Sequence, residues 1–305
     1  MTTKQFYPIG TPGQPWTERE KHQWQQAQTR SRCYKNDVLD VLHQLKHRYA
    51  LIQYGELSYG DDIYPLMAAK SKNWDDNIPV ALITGGVHGY ETSGVLGSLY
   101  FLSECQSEYA GKVNLLVVPC VSPWAYERIV RWNYDAVDPN RQFFPEGKAE
   151  ESLALMALIS PLRGRFVVHI DLHETTDTDE SEFSPALAAR DGAQYVPVSI
   201  PDGFYLVGDE QNSRHDFLNA IISAVAEVTH IAPSDNEGNL LGFPVVSPGV
   251  IEFDNNAFHI CATITGTSLA TTTEVYPDSA KTSPEECIRA QIVAIRQAIE
   301  FALSN

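Results

Sequence analysis

The residues whose spacing carries the most chemistry follow a short apolar run. Residues 78–84, IPVALIT, read as a buried β-strand, and Gly85-Gly86-Val87-His88-Gly89-Tyr90-Glu91 comes directly after. His88 and Glu91 form an HxxE pair at a strand-to-helix turn, where the glycines let the backbone turn sharply and bring both side chains to one point. A second run, RFVVHIDLH at 165–173, ends in His173 and is followed by Glu174 and a polar loop. Two histidines and one carboxylate are a catalytic zinc set that leaves a fourth position for water. Zinc would lower the pKa of that water from ~15.7 toward ~7 and polarise a carbonyl. An isolated HxxE is more often a capped helix start with a solvated Glu. The strand-end position, the flanking glycines and the second strand-end histidine favour the metal.

Between these segments lies Asp138-Pro139-Asn140-Arg141. As local structure this is turn chemistry, with Arg141 a surface charge. As chemistry, Arg141 is a planar two-pronged donor suited to a substrate carboxylate. Arg128 and Arg131 could supply positive charge to a developing oxyanion.

These residues need a scaffold that brings strand ends together. Helical stretches are expected near 16–31 and 36–49, the second with Val38, Leu42, Leu45 and Tyr49 on one stripe after an Asn36 cap. Short β-rich and helical runs then alternate: strands at 78–84, 113–118, 165–173, 249–253 and 270–275, helices at 91–104, 149–162 and 213–229. The last helix opens with Ser283-Pro284-Glu285-Glu286, a cap, a first-turn proline and a capping-box Glu. Ile288, Ile292, Ile295, Ile299 and Leu303 form its apolar stripe. This alternation indicates an α/β fold with a mixed, largely parallel sheet flanked by helices. In such sheets, sites form at the carboxyl ends of the strands. The expected organisation is a partly helical N-terminal extension over 1–34 and a single catalytic domain over 35–305.

Composition narrows the function classes. The 305 residues are 43% hydrophobic and 20% charged, as in a soluble globular chain. Lys plus Arg is 22 and Asp plus Glu 39, a net charge of −17. That argues against nucleic-acid or anionic-membrane partners, which need clustered positive charge. No apolar run approaches the ~18 residues of a bilayer span, and no signal peptide is visible at the N-terminus. Cys33, Cys105, Cys120, Cys261 and Cys287 are odd in number and include no CxxC. A disulfide framework or thiolate zinc site is not expected, and a reducing cytoplasm fits. A phosphate-loop reading of GGVHG fails because no Lys-Ser/Thr follows.

GGVHGYETSG, VDPNRQFFP and DLHETT, in that order, resemble the motifs of the zinc carboxypeptidase family of the carboxypeptidase A type. They are also similar to its relatives that cleave acyl-amino acids, the succinylglutamate desuccinylase and aspartoacylase branch. The matching motifs fall between about 85 and 175, and the strand-plus-helix ending extends the similarity to the C-terminus. Each motif is modest alone; the ordered set is specific.

The resemblance implies that His88, Glu91 and His173 hold one Zn2+ per chain. Asp138 falls where the family has a carboxylate that orients the first histidine. Asn140 and Arg141 fall on the pair that holds the substrate's terminal carboxylate, and Arg131, ahead of Arg128, on the Arg that polarises the scissile carbonyl. The family's catalytic Glu lies on a late strand before the final helix, which implies Glu274 in TTTEVYP, with Glu252 in VIEFDNN as a rival. The family's mobile Tyr over the site has no clear counterpart; Tyr205 stands in unmatched surroundings.

On a strand, residues 169, 171 and 173 share a face. Asp171 is therefore read as orienting a ligand, with a second metal at His169 and Asp171 as the lesser alternative. His22, His43, His47, His215, His230 and His259 lack ligand spacing. Asp177, Asp179, Glu180 and Glu182 form either a solvated acidic loop or a rim that attracts cationic substrates.

The reading is a zinc metallopeptidase of the carboxypeptidase type, hydrolysing amide bonds of peptides that carry a free carboxylate. The alternatives are an N-acyl amino-acid deacylase on the same scaffold and a non-catalytic zinc-binding protein. The open fourth coordination position argues against the last, since structural zinc sites are closed by four protein ligands.

Overall fold

A computed structural model describes residues 5–105 and 108–304. Its helices are α1 (Glu18–Ala27), α2 (Asp40–Leu45), α3 (Thr92–Glu104), α4 (Pro123–Arg128), α5 (Glu150–Ile159), α6 (Ser184–Asp191), α7 (His215–Val225) and α8 (Pro284–Ser304). Its strands are β1 (Tyr49–Tyr59), β2 (Asp62–Ser71), β3 (Val80–Gly85), β4 (Asn114–Val118), β5 (Phe166–Glu174), β6 (Tyr205–Asp209), β7 (Asn239–Leu240), β8 (Phe243–Ser247), β9 (Val250–Phe253) and β10 (Ala270–Val275).

Among the described residues the strands form one sheet in the order β1-β2-β4-β3-β5-β10-β6-β9-β8-β7. The central run β4-β3-β5-β10 is parallel. The outer pairs are antiparallel except β6 with β9. All of β3 and β4 is buried, which explains their unbroken apolar runs: each strand is covered on both faces. Alternation sorts their side chains between two layers. Ala81, Ile83, Val168, Ile170 and Leu172 pack with residues of α3 and α8, whereas Val80, Leu82 and Leu116 pack with Leu155 and Ile159 of α5. Val168, Ile170 and Leu172 of β5 thus face α3 and α8, while Phe166, before the register shift, packs with α5. His169, Asp171 and His173 face the opposite side with Thr84.

The strands and helices expected from 78 to 162 and the sheet's late members lie within a few residues of their expected positions. The final helix also starts as expected, with Ser283 Oγ accepting from the Glu286 amide at 3.2 Å. Two N-terminal expectations need correction. The first helix is Glu18–Ala27, closed at its start by a Thr17–Glu20 capping box. The second is shorter than 36–49: a π-helical turn, Lys35–Leu39, contains Asn36, which therefore caps nothing, and α2 ends at Leu45. Tyr49 opens β1 instead, because residues 49–59 pair with 62–71 in an antiparallel hairpin. No described helix is long and apolar enough to cross a membrane.

Candidate metal centre and active site

The turn after β3 sets His88 and Glu91 at the carboxyl end of the sheet. Gly86 has φ +60°, and a Cβ on Gly89 would lie 1.9 Å from the Ala125 carbonyl carbon, so the turn packs directly on α4. Ser122 Oγ, just before α4, donates to the Val87 carbonyl at 2.7 Å and fixes the loop from the other side. His173 enters from β5, one strand over.

The three side chains converge. His88 Nδ1 lies 2.7 Å from Glu91 Oε1, and His173 Nδ1 lies 2.9 Å from Glu91 Oε2. All three residues are buried, and their ligand atoms lie within 4.8 Å of one another. The outer nitrogens are also held: His88 Nε2 is 3.0 Å from Asp138 Oδ1 and His173 Nε2 is 2.7 Å from Asp171 Oδ2. Each imidazole thus turns Nδ1 to a shared carboxylate and Nε2 to a private one. This is the arrangement in which Nε2–H donates outward and the Nδ1 lone pair is free for a cation. Glu91 Oε2, 2.9 Å from His173 Nδ1, is buried without a hydrogen bond of good geometry. A buried carboxylate whose two oxygens each face an imidazole Nδ1 fits a divalent ion of the zinc type.

The electrostatics follow from this crowding. Burial works against the charged forms of Glu91, Asp138 and His173. The Glu91 and Asp171 carboxylates nonetheless outweigh it at His173 and hold that imidazole well above its usual range. At Asp138 burial is outweighed by Arg131 and His88, which hold the carboxyl well below its usual range. Asp138 also caps the 139–141 turn, accepting from the Asn140 amide at 2.9 Å.

Arg131 reaches the site and is already engaged. Its Nε donates to Asp138 Oδ2 at 3.0 Å and its Nη1 to Tyr90 and Asp179, at 2.8 and 3.2 Å. Arg128 points elsewhere, donating to Asp62 at 3.1 Å with its guanidinium over Trp124. Arg141 Nη1 donates to the Asn140 carbonyl at 2.7 Å, and the guanidinium lies over Phe258. Asn140 Oδ1 accepts from the Cys261 amide at 2.7 Å, which leaves the Asn140 amide group as its outward donor. A cleft of about 540 Å³ adjoins this corner, lined by residues that include Arg131, Asp138, Arg141, Phe144, Lys148 and Arg190.

The two candidate carboxylates of the C-terminal third part company. Glu274 on β10 is the register partner of His173 on β5. Its Oε2 accepts from Thr175 Oγ1 at 2.9 Å, and that hydroxyl lies 2.7 Å from the Tyr205 hydroxyl. Burial pushes the Glu274 carboxyl up to about 8, with His173 opposing and Glu91 adding to the shift. Glu252 lies on β9, two strands beyond β10. Its register partner is Gly208, which places it on the opposite sheet face beside Leu218 of α7. There it accepts from Ser213 Oγ at 2.6 Å. Tyr205 is a buried strand residue, and its hydroxyl props the Thr175 that holds Glu274.

The acidic loop is not a free rim. Asp179 binds Tyr90 and Arg131, Glu182 accepts from Tyr7 at 2.9 Å, Asp177 from Tyr276 at 2.7 Å, and Glu180 from the Val198 amide at 2.7 Å. Three further residues escaped the sequence reading. Glu174 accepts from the Thr92 and Ser93 amides at 3.1 and 2.5 Å, pinning the end of β5 to the start of α3. Thr84 donates to Asp171 Oδ1 at 2.6 Å. Gln291 of α8 donates to the His173 carbonyl at 2.9 Å. Only Thr84 left a signal: it shares a strand face with Leu82, one layer from Asp171.

No family model matches the chain. No curated protein matches it either. Solved structures do. A candidate metallopeptidase from Shewanella amazonensis superposes with TM-score 0.65 at 21% identity, over 88% of this chain and 91% of that one. A metallo-carboxypeptidase from Burkholderia cenocepacia gives 0.57 at 14%, over 87% and 68%. Carboxypeptidase A from Helicoverpa armigera gives 0.58 at 12%, over 96% and 74%. The chain has the fold of the metallopeptidases and zinc carboxypeptidases of the A type over most of its length, with a buried His-Glu-His candidate metal site in it.

Proposed function

We propose that the protein is a zinc-dependent carboxypeptidase that hydrolyses the last amide bond of substrates with a free carboxylate. One observation carries this reading. Both histidine Nδ1 atoms converge on Glu91 while both Nε2 atoms are held by carboxylates, beside Glu274 on a carboxypeptidase-like fold. One Zn2+ held by His88, Glu91 and His173 would supply Lewis-acid polarisation of the scissile carbonyl and acidify a water. Glu274 takes the proton from the attacking water and delivers it to the leaving nitrogen, general base and then general acid. Thr175 orients the Glu274 carboxylate for both tasks. Arg141, with the Asn140 amide, grips the terminal carboxylate and so restricts cleavage to the chain end. Arg131 places a positive charge beside the site for the oxyanion.

The net charge of −17 supports a substrate that is neither nucleic acid nor membrane. Five free cysteines, four of them buried, support a cytoplasmic location. The reading is tested by incubating zinc-loaded protein with peptides that differ only in a free or amidated C-terminus. Loss of one C-terminal residue from the free form alone is expected. Hydrolysis confined to N-acyl amino acids would move the assignment to the deacylase alternative. Zinc binding with no turnover on either class would leave a non-catalytic zinc protein.

A further inference from the structure

Behind the His173 ligand, three fully buried side chains, Asp171, Thr84 and His169, continue a chain of contacts beneath the candidate metal site. Asp171 has both carboxylate oxygens engaged: Oδ2 lies 2.7 Å from His173 Nε2, and Oδ1 accepts from Thr84 Oγ1 at 2.6 Å. A threonine hydroxyl has one proton, so Thr84 must accept its other hydrogen bond. That partner is His169 Nε2, at 3.0 Å. His169 therefore carries its proton on Nε2, and its Nδ1 is a bare lone pair. His169 Nδ1 is buried without a hydrogen bond of good geometry, with the Ala262 carbonyl beside the ring. Burial, opposed by Asp171 and the Ala262 carbonyl, pushes His169 down to about 4, so the ring is neutral at physiological pH.

We infer that Thr84 and His169 are positioning residues, a neutral hydrogen-bond relay that fixes the Asp171 carboxylate and through it the tautomer and donor strength of the His173 ligand. The inference rests on reading His173 as a metal ligand. The two ligand histidines are then supported differently. Asp138, behind His88, carries the positive charge of Arg131 at 3.0 Å, which draws electron density away from it. Asp171 meets only neutral donors besides His173, the Thr84 hydroxyl and the weakly donating Cys261 thiol, so it stays the stronger acceptor and makes His173 the stronger donor of the pair. Partners of this kind typically change metal affinity by roughly 10–100-fold when removed.

The same pocket contains the Cys261 thiol, 3.6 Å from Thr84 Oγ1, and His169, Asp171 and Cys261 could on proximity alone be taken for a second metal site. The relay assigns the Asp171 oxygens to Thr84 and His173, and the thiol serves there as a weak donor to the same groups rather than as a metal ligand. The test is zinc affinity by competition with a chromogenic chelator, alongside the unfolding midpoint and zinc content. Thr84→Val, isosteric but without the hydroxyl, should weaken zinc by roughly 10–100-fold, and Thr84→Ser should restore it. His169→Leu should weaken zinc, and His169→Gln, which keeps an N–H donor, should recover much of the loss. Cys261→Ala should keep wild-type affinity and one equivalent. If Thr84→Val does not fold, the His169→Leu and His169→Gln pair carries the test. Wild-type affinity in folded Thr84→Val or His169→Leu would overturn the relay. So would a wild-type content of two equivalents that falls to one in Cys261→Ala. Wild-type protein that binds no zinc would instead remove the ligand reading on which the relay stands.

Discussion

Glu274 and His173 face one another across neighbouring parallel strands, as register partners of β10 and β5. The pairing sets a carboxylate beside the candidate metal ligands, with Thr175 bonded to it. Glu252 has no such relation, being on the other face of the sheet. Glu274→Gln keeps the shape and removes the base, so kcat should fall roughly 10²–10⁴-fold with zinc content unchanged. Glu252→Gln should leave kcat near wild type and lower the unfolding temperature, because Ser213 and His215 lose their charged partner. Activity lost in folded, zinc-loaded Glu252→Gln and kept in Glu274→Gln would reverse the assignment.

Zinc content tests the ligand set. Purified protein should hold about one equivalent, removable by chelator with loss of activity. His173→Ala leaves His88 and Glu91 to bind alone and should lose the metal during dialysis. A full equivalent in the dialysed variant would take His173 out of the site.

Arg141 is tested by substrate charge. Arg141→Ala should lower kcat/KM on a free-carboxylate substrate by about 2–4 kcal/mol in activation free energy, the scale of a lost charged hydrogen bond. Between wild type and variant, the ratio of rates on free and amidated substrates should collapse. An unchanged ratio would mean that the anchor lies elsewhere.

Glu151 gives a pH signature in stability. It is buried in the first turn of α5, with long contacts to Ser122 and Asn133, and burial pushes its carboxyl up to about 7 against the backbone amide and Asn133. A carboxyl that titrates higher in the folded than in the unfolded chain binds its proton more tightly when folded. Its contribution is therefore fully present below the unfolded value of about 4.3 and is lost as pH rises through 7. Glu151→Gln should thus gain on wild type between pH 5 and pH 8, by on the order of 1–3 kcal/mol. Denaturant melts at the two pH values measure it; a constant gap would show that Glu151 titrates normally.

How much of this was legible in the sequence varies with the range of the interaction. The HxxE turn, the DPNR turn and the DLH strand end are local, and each carries its own backbone signal: glycines, a proline turn, strict alternation. Asp171 could be placed beside His173 because residues two apart on a strand share a face. Thr84 could be placed on a strand face but not beside Asp171, and Glu174 and Gln291 not at all, since their partners lie 87, 81 and 118 positions away in the chain. The acidic loop was opaque for the same reason. Its charges are taken up by Tyr7, Tyr90 and Tyr276, which no spacing rule connects to it. The β1–β2 hairpin was hidden because Tyr49 continues the helical stripe of Val38, Leu42 and Leu45, and only tertiary pairing decides otherwise.

The central claim is hydrolysis at a free chain end by a zinc-loaded His88–Glu91–His173 site. Mass spectrometry of a mixed pool of free peptides, amidated peptides and N-acyl amino acids, incubated with the zinc-loaded protein with and without chelator, tests it most directly. The account predicts free peptides shortened by single C-terminal residues, amidated peptides intact, and no products with chelator present. Internal cleavage, equal loss from amidated peptides, or products that persist after the metal is removed would contradict it.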